Sequence, residues 1–208
     1  LTYERLRDQY PGSGLLLRCC GAPALWSGEE TVFREKHEKL RAYWREAGEP
    51  VMLLSCPSCY RIFRDYLPEI PVKMLYEVLR ASPQNREAGW EAVVFDPCSS
   101  REYPQIQETV RELAKESGAV LSEELKYSRE LAQCCSFGGH GYTVNPLVVR
   151  TQAKEQASQS DLPYLTYCTN CRDILSAQGK ECRHILDLVN CINEGFRRPP
   201  TVTERRNN

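Results

Sequence analysis

Cysteine is the residue with which this sequence could do chemistry. Eleven of its 208 residues are cysteines, and nine fall into a pattern that occurs twice. Cys19-Cys20-Gly21 precedes Cys56-Pro57-Ser58-Cys59, and Cys134-Cys135-Ser136 precedes Cys168-Thr169-Asn170-Cys171. The doublets start 115 residues apart and the CxxC pairs 112 apart, so the chain carries an internal repeat with a small insertion. Cys98 leads the second copy, 36 positions ahead of its doublet. Thiolates are soft ligands that select zinc, copper(I) or iron–sulfur centres. A structural zinc ion takes four tetrahedral ligands, commonly from two separated pairs. Adjacent cysteines fit it poorly, because successive side chains of an extended segment diverge. A doublet suits a polynuclear centre, and five thiolates exceed the needs of one zinc ion or of an ordinary four-cysteine cubane. Cys98, Cys134, Cys135, Cys168 and Cys171 therefore point to an unusual iron–sulfur cluster.

Such residues converge only if the elements between them bring strand ends together. Leu15-Leu16-Leu17, Val51 to Leu54, Val93-Val94-Phe95 and Tyr164-Leu165 are short strand-like runs, each ending within a few residues of a cysteine. Helical periods fill the gaps: Phe33, His37, Leu40, Trp44 and Ala47 recur at spacings of four and three, as do Ile106, Val110 and Leu113. Strands alternating with helices predict an α/β fold of two pseudo-symmetric repeated units, with short, largely parallel sheets flanked by helices. Ligand sites in such folds lie beyond the carboxyl ends of strands, where these cysteines fall. The expected units are 1–85 and 86–196, with the boundary in the polar stretch Ala81 to Gly89 and a disordered tail over 197–208.

Composition narrows the setting. Hydrophobic residues make up 41% and charged residues 26% of the chain, the balance of an ordinary globular protein, and the net charge is −1. A nucleic-acid partner has no electrostatic footprint here, and no apolar run approaches the ~20 residues of a membrane span. With no apolar leader visible, the thiols are expected to meet a reducing cytosol. There is no GxGxxG, P-loop, GxSxG or HExxH motif, so nucleotide binding and hydrolysis lack support.

The doublet followed by CxxC, in two copies, resembles the cysteine-rich CCG domain found in the catalytic component of heterodisulfide reductase and in its relatives. The resemblance covers roughly Leu15 to Cys191. It implies a non-cubane [4Fe-4S] cluster held by Cys98, Cys134, Cys135, Cys168 and Cys171, and a module that passes electrons to a small disulfide or similar acceptor. It also implies an electron-donating iron–sulfur or flavin partner. Cys19, Cys20, Cys56 and Cys59 would be four of five ligands at the first site. Counting back from Cys19, the fifth would precede Leu1. Either the chain begins within the repeat, or the first site differs and holds zinc or another [4Fe-4S] cluster. A zinc-binding scaffold without turnover and a pure electron relay are the competing readings.

Other residues carry weaker signals. His140, in the glycine-rich run after the second doublet, could donate a proton to a nascent thiolate, or could be a plain loop histidine. His37 falls on an apolar helical face and is expected to be packed. His184 matches Met74 in the other half, so a duplicated site does not need it as a ligand. Cys182 and Cys191 lie outside the pattern, on what reads as an amphipathic helix, and are expected to be buried small hydrophobes. Asp96-Pro97 reads as a turn. Arg172 could offset cluster charge or be a solvated surface residue. The second doublet replaces the glycine of CCG by Ser136 while placing Gly138 and Gly139 nearby.

Overall fold

A computed structural model describes residues 1–81, 89–122, 125–190 and 192. The expected boundary over Ala81 to Gly89 falls almost wholly outside the described residues, as do Cys191 and the tail. The first half contains helices α1 (Thr2–Gln9), α2 (Ala22–Trp26) and α3 (Glu30–Glu46), then strand β1 (Met52–Leu54), α4 (Pro57–Tyr66) and β2 (Val72–Met74). The second runs β3 (Trp90–Val94), α5 (Pro104–Glu116), β4 (Ala119–Leu121), α6 (Gly141–Val144), α7 (Pro146–Ala157), β5 (Tyr164–Thr166), α8 (Thr169–Ser176), β6 (Cys182–His184) and α9 (Ile185–Val189).

The strands form two parallel sheets, β1–β2 and the four-stranded β4–β3–β5–β6. The unit β1–α4–β2 recurs as β5–α8–β6. Met52 pairs with Val72 in the first as Tyr164 pairs with Cys182 in the second. Each copy ends in the same local device. Glu77 accepts the Met74 N–H at 2.6 Å, and Asp187 accepts the His184 N–H at 3.1 Å, so a carboxylate three residues on caps the turn that follows the strand. His184 and Met74 thus occupy equivalent places.

The helices follow the apolar periods. Phe33, His37, Leu40 and Trp44 are the buried face of α3, and Ile106, Val110 and Leu113 lie on that of α5. Leu15 to Leu17 correct the expectation of a strand. They are unpaired and 59%, 38% and 77% exposed. Strands are held by ladder bonds and cross-strand neighbours, and a three-residue run without a partner has neither. The stretch before Cys134 behaves likewise, forming a 3₁₀ turn over Arg129–Leu131.

One core joins the halves. Tyr60, Met74, Leu75, Tyr76 and Leu79 pack with Val94, Ile106, Val110, Leu165, Tyr167 and Ile185. Separate clusters lie under α2–α3–α4 and under β5–α8. No helix among the described residues is long and apolar enough to cross a membrane.

Candidate metal centre

The two CxxC motifs are built alike. Cys56 and Cys168 leave strands in extended conformation, with φ/ψ of −122°/123° and −129°/120°, and each is the N-cap of the helix that follows. Their carbonyls accept from Tyr60 N and Arg172 N, both at 3.0 Å, closing the first helical turn. The sulfurs therefore sit at helix N-termini, where exposed N–H groups favour thiolate over thiol; at Cys168 the Cys171 contact acts in the same sense, but contact with Cys56 and burial outweigh both and push the thiol up to about 12. The doublets share a second device. Gly21 N–H points at the Cys19 sulfur at 3.4 Å, and Ser136 N–H at the Cys134 sulfur at 3.3 Å. The residue after each doublet is left-handed, with φ +92° at Gly21 and +74° at Ser136. Ser136 accepts a conformation that suits glycine, and its hydroxyl donates to Gln152 at 2.9 Å.

Eight of the nine motif thiols form one contiguous row. Cys20 meets Cys59, which meets Cys56; Cys56 meets Cys168 across the two halves. Cys168 meets Cys171, whose sulfur lies 3.2 Å from that of Cys135; Cys135 meets Cys134, and Cys134 meets Cys98. Cys19 stands outside the row, exposed. Cys182 corrects the expectation of a helix: paired with Tyr164 it lies in β6, buried as a small hydrophobe in the apolar cluster under α8, and burial pushes its thiol up.

This packing separates the sulfurs electrostatically. Cys56 is held well below the ordinary thiol range because Cys168 and Cys59 both hydrogen-bond to it. Cys134 is lowered by Cys135 and Cys98 in the same way. Their neighbours move the other way: Cys59 is raised by its contacts with Cys20 and Cys56, Cys98 and Cys135 by contact with Cys134. Cys20 is lowered to about 7, chiefly by Cys59. Thiolate character is thus favoured at Cys56 and, more weakly, Cys20 in the first set and at Cys134 in the second. Metal binding must expel the remaining protons.

The donor set fits a soft polynuclear centre. All donors are sulfurs: Cys56, Cys98 and Cys168 follow strands, Cys59 and Cys171 lie in the first turns of α4 and α8, and the doublets sit in turns where a backbone N–H faces the first sulfur. Two thiolates on one tetrahedral ion at ~2.3 Å stand about 3.8 Å apart, so Cys135 and Cys171 would have to separate by roughly half an ångström. Among the described residues, no set of three or more His, Cys, Asp or Glu side chains is arranged to hold a single metal ion.

A cleft of about 410 Å³ opens beside the second set of thiols. Ala22, Leu25 and Trp26 of α2, Arg61, Ile62 and Asp65 of α4, and Phe137, Gly138 and Gly139 line it. Cys98, Cys134, Cys135, Cys168 and Cys171 border it. Ser58 and Ser99 hydroxyls meet across the two halves at 3.2 Å. His140 turns its Nε2 toward the Pro23 carbonyl at 2.9 Å, with its ring edge-on to Trp26. It ties the glycine-rich loop to α2.

Other signalled residues have structural partners. His37 Nε2–H donates to the Cys20 carbonyl at 3.0 Å and the ring packs on Phe33. Arg172 pairs with Asp173 at 3.0 Å and Asp187 at 3.5 Å, so its charge is compensated by these carboxylates. Asp96 is more than a turn residue: it is 1% exposed and ion-paired with Arg111. Sequence patterns also give no sign of the part played by Tyr76, whose buried hydroxyl lies 2.5 Å from the Ser55 carbonyl and 3.0 Å from the Tyr167 carbonyl. Those carbonyls immediately precede Cys56 and Cys168. Only the position of Ser55 and Tyr167 next to a CxxC hinted at this, because bonds over 91 residues leave no local pattern.

A family model described as a cysteine-rich domain matches residues 16–64 and again residues 92–176, together more than half of the chain. No curated protein matches it.

Proposed function

The chain belongs to the CCG cysteine-rich domain family, and from that membership we propose that it is the terminal redox module of a larger oxidoreductase. Cys98, Cys134, Cys135, Cys168 and Cys171 would hold a non-cubane [4Fe-4S] cluster. Cys19, Cys20, Cys56 and Cys59 would hold a second [4Fe-4S] cluster or zinc. The observation that carries this reading is the contiguous row of thiols, of which Cys98, Cys134, Cys135, Cys168 and Cys171 border a cleft. When bound, such a cluster supplies single-electron transfer and iron sites with affinity for sulfur.

The chain's own residues do the rest. The apolar wall of Ala22, Leu25, Trp26 and Phe137 would exclude water and receive the carbon skeleton of a small disulfide or similar acceptor. Arg61, Asp65 and Asn170 offer polar contacts at the same cleft. Backbone N–H groups at Gly21 and Ser136 and the N-termini of α4 and α8 would offset negative charge on thiolates. His140 would hold the glycine-rich loop against α2; protonating a nascent product thiolate from Nε2 would require releasing the Pro23 carbonyl. Electrons would come from an iron–sulfur or flavin partner.

The test is iron, acid-labile sulfide and zinc per chain after anaerobic purification, with Cys98→Ala, Cys135→Ala and Cys168→Ala beside the unmodified protein. Close to four irons and four sulfides at the second site, lost in these variants, is the expected result. Zinc without sulfide at these residues would overturn the redox reading and leave a metal-stabilised scaffold. A cluster that forms but never reduces a disulfide, when supplied with low-potential electrons, would reassign the chain as a relay.

A further inference from the structure

We propose that Asp96 is the positioning residue of the second thiol set, a single buried carboxylate that ties together the three loops carrying Cys98, the Cys134–Cys135 doublet and Cys168. Asp96 lies just past β3 and two residues before Cys98, so its own backbone is the first loop. Its Oδ1 accepts from the Tyr167 hydroxyl at 2.7 Å, and Tyr167 immediately precedes Cys168. Its Oδ2 accepts from the backbone N–H of Arg129 at 2.9 Å, at the start of the 3₁₀ turn that delivers the doublet. Arg111, from α5, spans both oxygens at 3.1 and 2.7 Å.

Secondary ties close the figure. The Ser100 hydroxyl, two residues after Cys98, stands 2.7 Å from both the Tyr167 hydroxyl and the Pro97 carbonyl; because Tyr167 gives its hydrogen to Asp96, Ser100 is the donor and its one hydrogen is divided between these two acceptors. Arg101 donates through Nε and Nη2 to the Ala132 carbonyl at 3.0 and 2.5 Å, two residues before Cys134. Arg129 is itself left-handed, with φ +54°, a conformation that persists where surrounding contacts over-determine it.

Stability alone is a weak reason for this arrangement. A buried ion pair often contributes no more than apolar residues of the same volume, whereas removing one partner leaves a costly unpaired charge. What distinguishes this pair is that the carboxylate's other bonds reach two further cysteine loops. The metal centre proposed above gives the arrangement its use, but the placement of the sulfurs can be read without metal.

The experiment uses the full chain, metal-free and reduced, pulse-labelled with iodoacetamide and analysed cysteine by cysteine by mass spectrometry. Asp96→Asn is expected to speed labelling of Cys98, Cys134 and Cys168 together by about tenfold, the effect of losing a charged hydrogen-bond hub. Cys20 and Cys182 should keep their rates. Tyr167→Phe, which spares the ion pair, should speed Cys168 while leaving Cys134 unchanged, and Arg101→Met should speed the doublet alone. These two variants decide the matter if Asp96→Asn does not fold. On anaerobic reconstitution, Asp96→Asn should also take up several-fold less iron and sulfide and show an altered electron paramagnetic resonance signature. Unchanged rates at all three cysteines, or a rise at Cys182 as large as theirs, would overturn the proposal. An unmodified chain that binds no iron and sulfide would defeat the metal-centre reading alone, since the labelling pattern stands apart from it.

Discussion

At the scale of single residues, buried polar side chains near the thiols make bonds that pH and substitution can probe. His184 is nearly sealed from solvent. Its Nδ1 accepts from Leu186 N–H at 3.2 Å, which leaves Nε2 to carry the proton toward the Tyr167 carbonyl. Desolvation pulls it down to about 4, with Asp187 opposing and Arg172 adding to the shift. The unfolded chain therefore binds this proton at a higher pH than the folded one. The His184 contribution to stability is complete above about pH 6.5 and is lost as pH falls through 4. Over that window it amounts to roughly 3 kcal/mol. His37, also lowered by burial, acts in the same sense. Replacing His184 by Met, the residue at the equivalent place in the first half, should flatten the acid limb of urea midpoints measured from pH 4.5 to 7.5. An unchanged limb would mean that His184 does not control it. Tyr76→Phe deletes the hydroxyl shared by the Ser55 and Tyr167 carbonyls. It should cost about 1–2 kcal/mol in urea unfolding, because a buried carbonyl is left without its donor.

Secondary-structure elements show how far local order carries. The faces of α3 and α5 could be read from apolar spacing because a helix repeats every 3.6 residues regardless of its neighbours. Strands depend on partners, and so Val51 to Leu54 and Tyr164-Leu165 include paired strands whereas Leu15 to Leu17 stay unpaired and exposed. The doublet turn has its own requirement. At Gly21 a Cβ would meet Phe33 Cδ2 at 3.0 Å and His37 Nε2 at 3.3 Å, on a backbone at φ +92°. Gly21→Ala should therefore destabilise by about 2–4 kcal/mol, combining left-handed strain with overpacking. Thermal unfolding would check this; a loss under half a kilocalorie would show that α3 yields freely. Helix α7 begins with Asn145, whose side chain accepts from Val148 N–H at 3.2 Å. Asn145→Ala should cost about 1 kcal/mol by the same measurement.

Taken whole, the molecule is joined by its centre. Tyr60, Met74 and Leu79 share one apolar core with Val94, Ile106 and Leu165, and Arg5 of α1 reaches the carbonyls of Val189 and Arg80, both at 2.6 Å. Unfolding should be a single cooperative transition, coincident when followed through Trp44 of the first half and Trp90 of the second in single-tryptophan variants. Leu79→Ala, at a position 1% exposed, should lower both signals together by about 2–4 kcal/mol. Two separated transitions would show instead that each half folds alone.

The linear order of residues was enough to reveal the repeat, the parallel α/β class and the buried faces of α3 and α5. Each of these depends on residue type and on spacing along a chain with fixed local periods. The continuity of the thiol row, the contact of Cys56 with Cys168, the turning of His140 to Pro23 and the convergence of Tyr167, Arg111 and Arg129 on Asp96 were settled by packing. These contacts join residues tens of positions apart through side-chain directions that no local period encodes. They exist because two sheets and their helices bury one shared core.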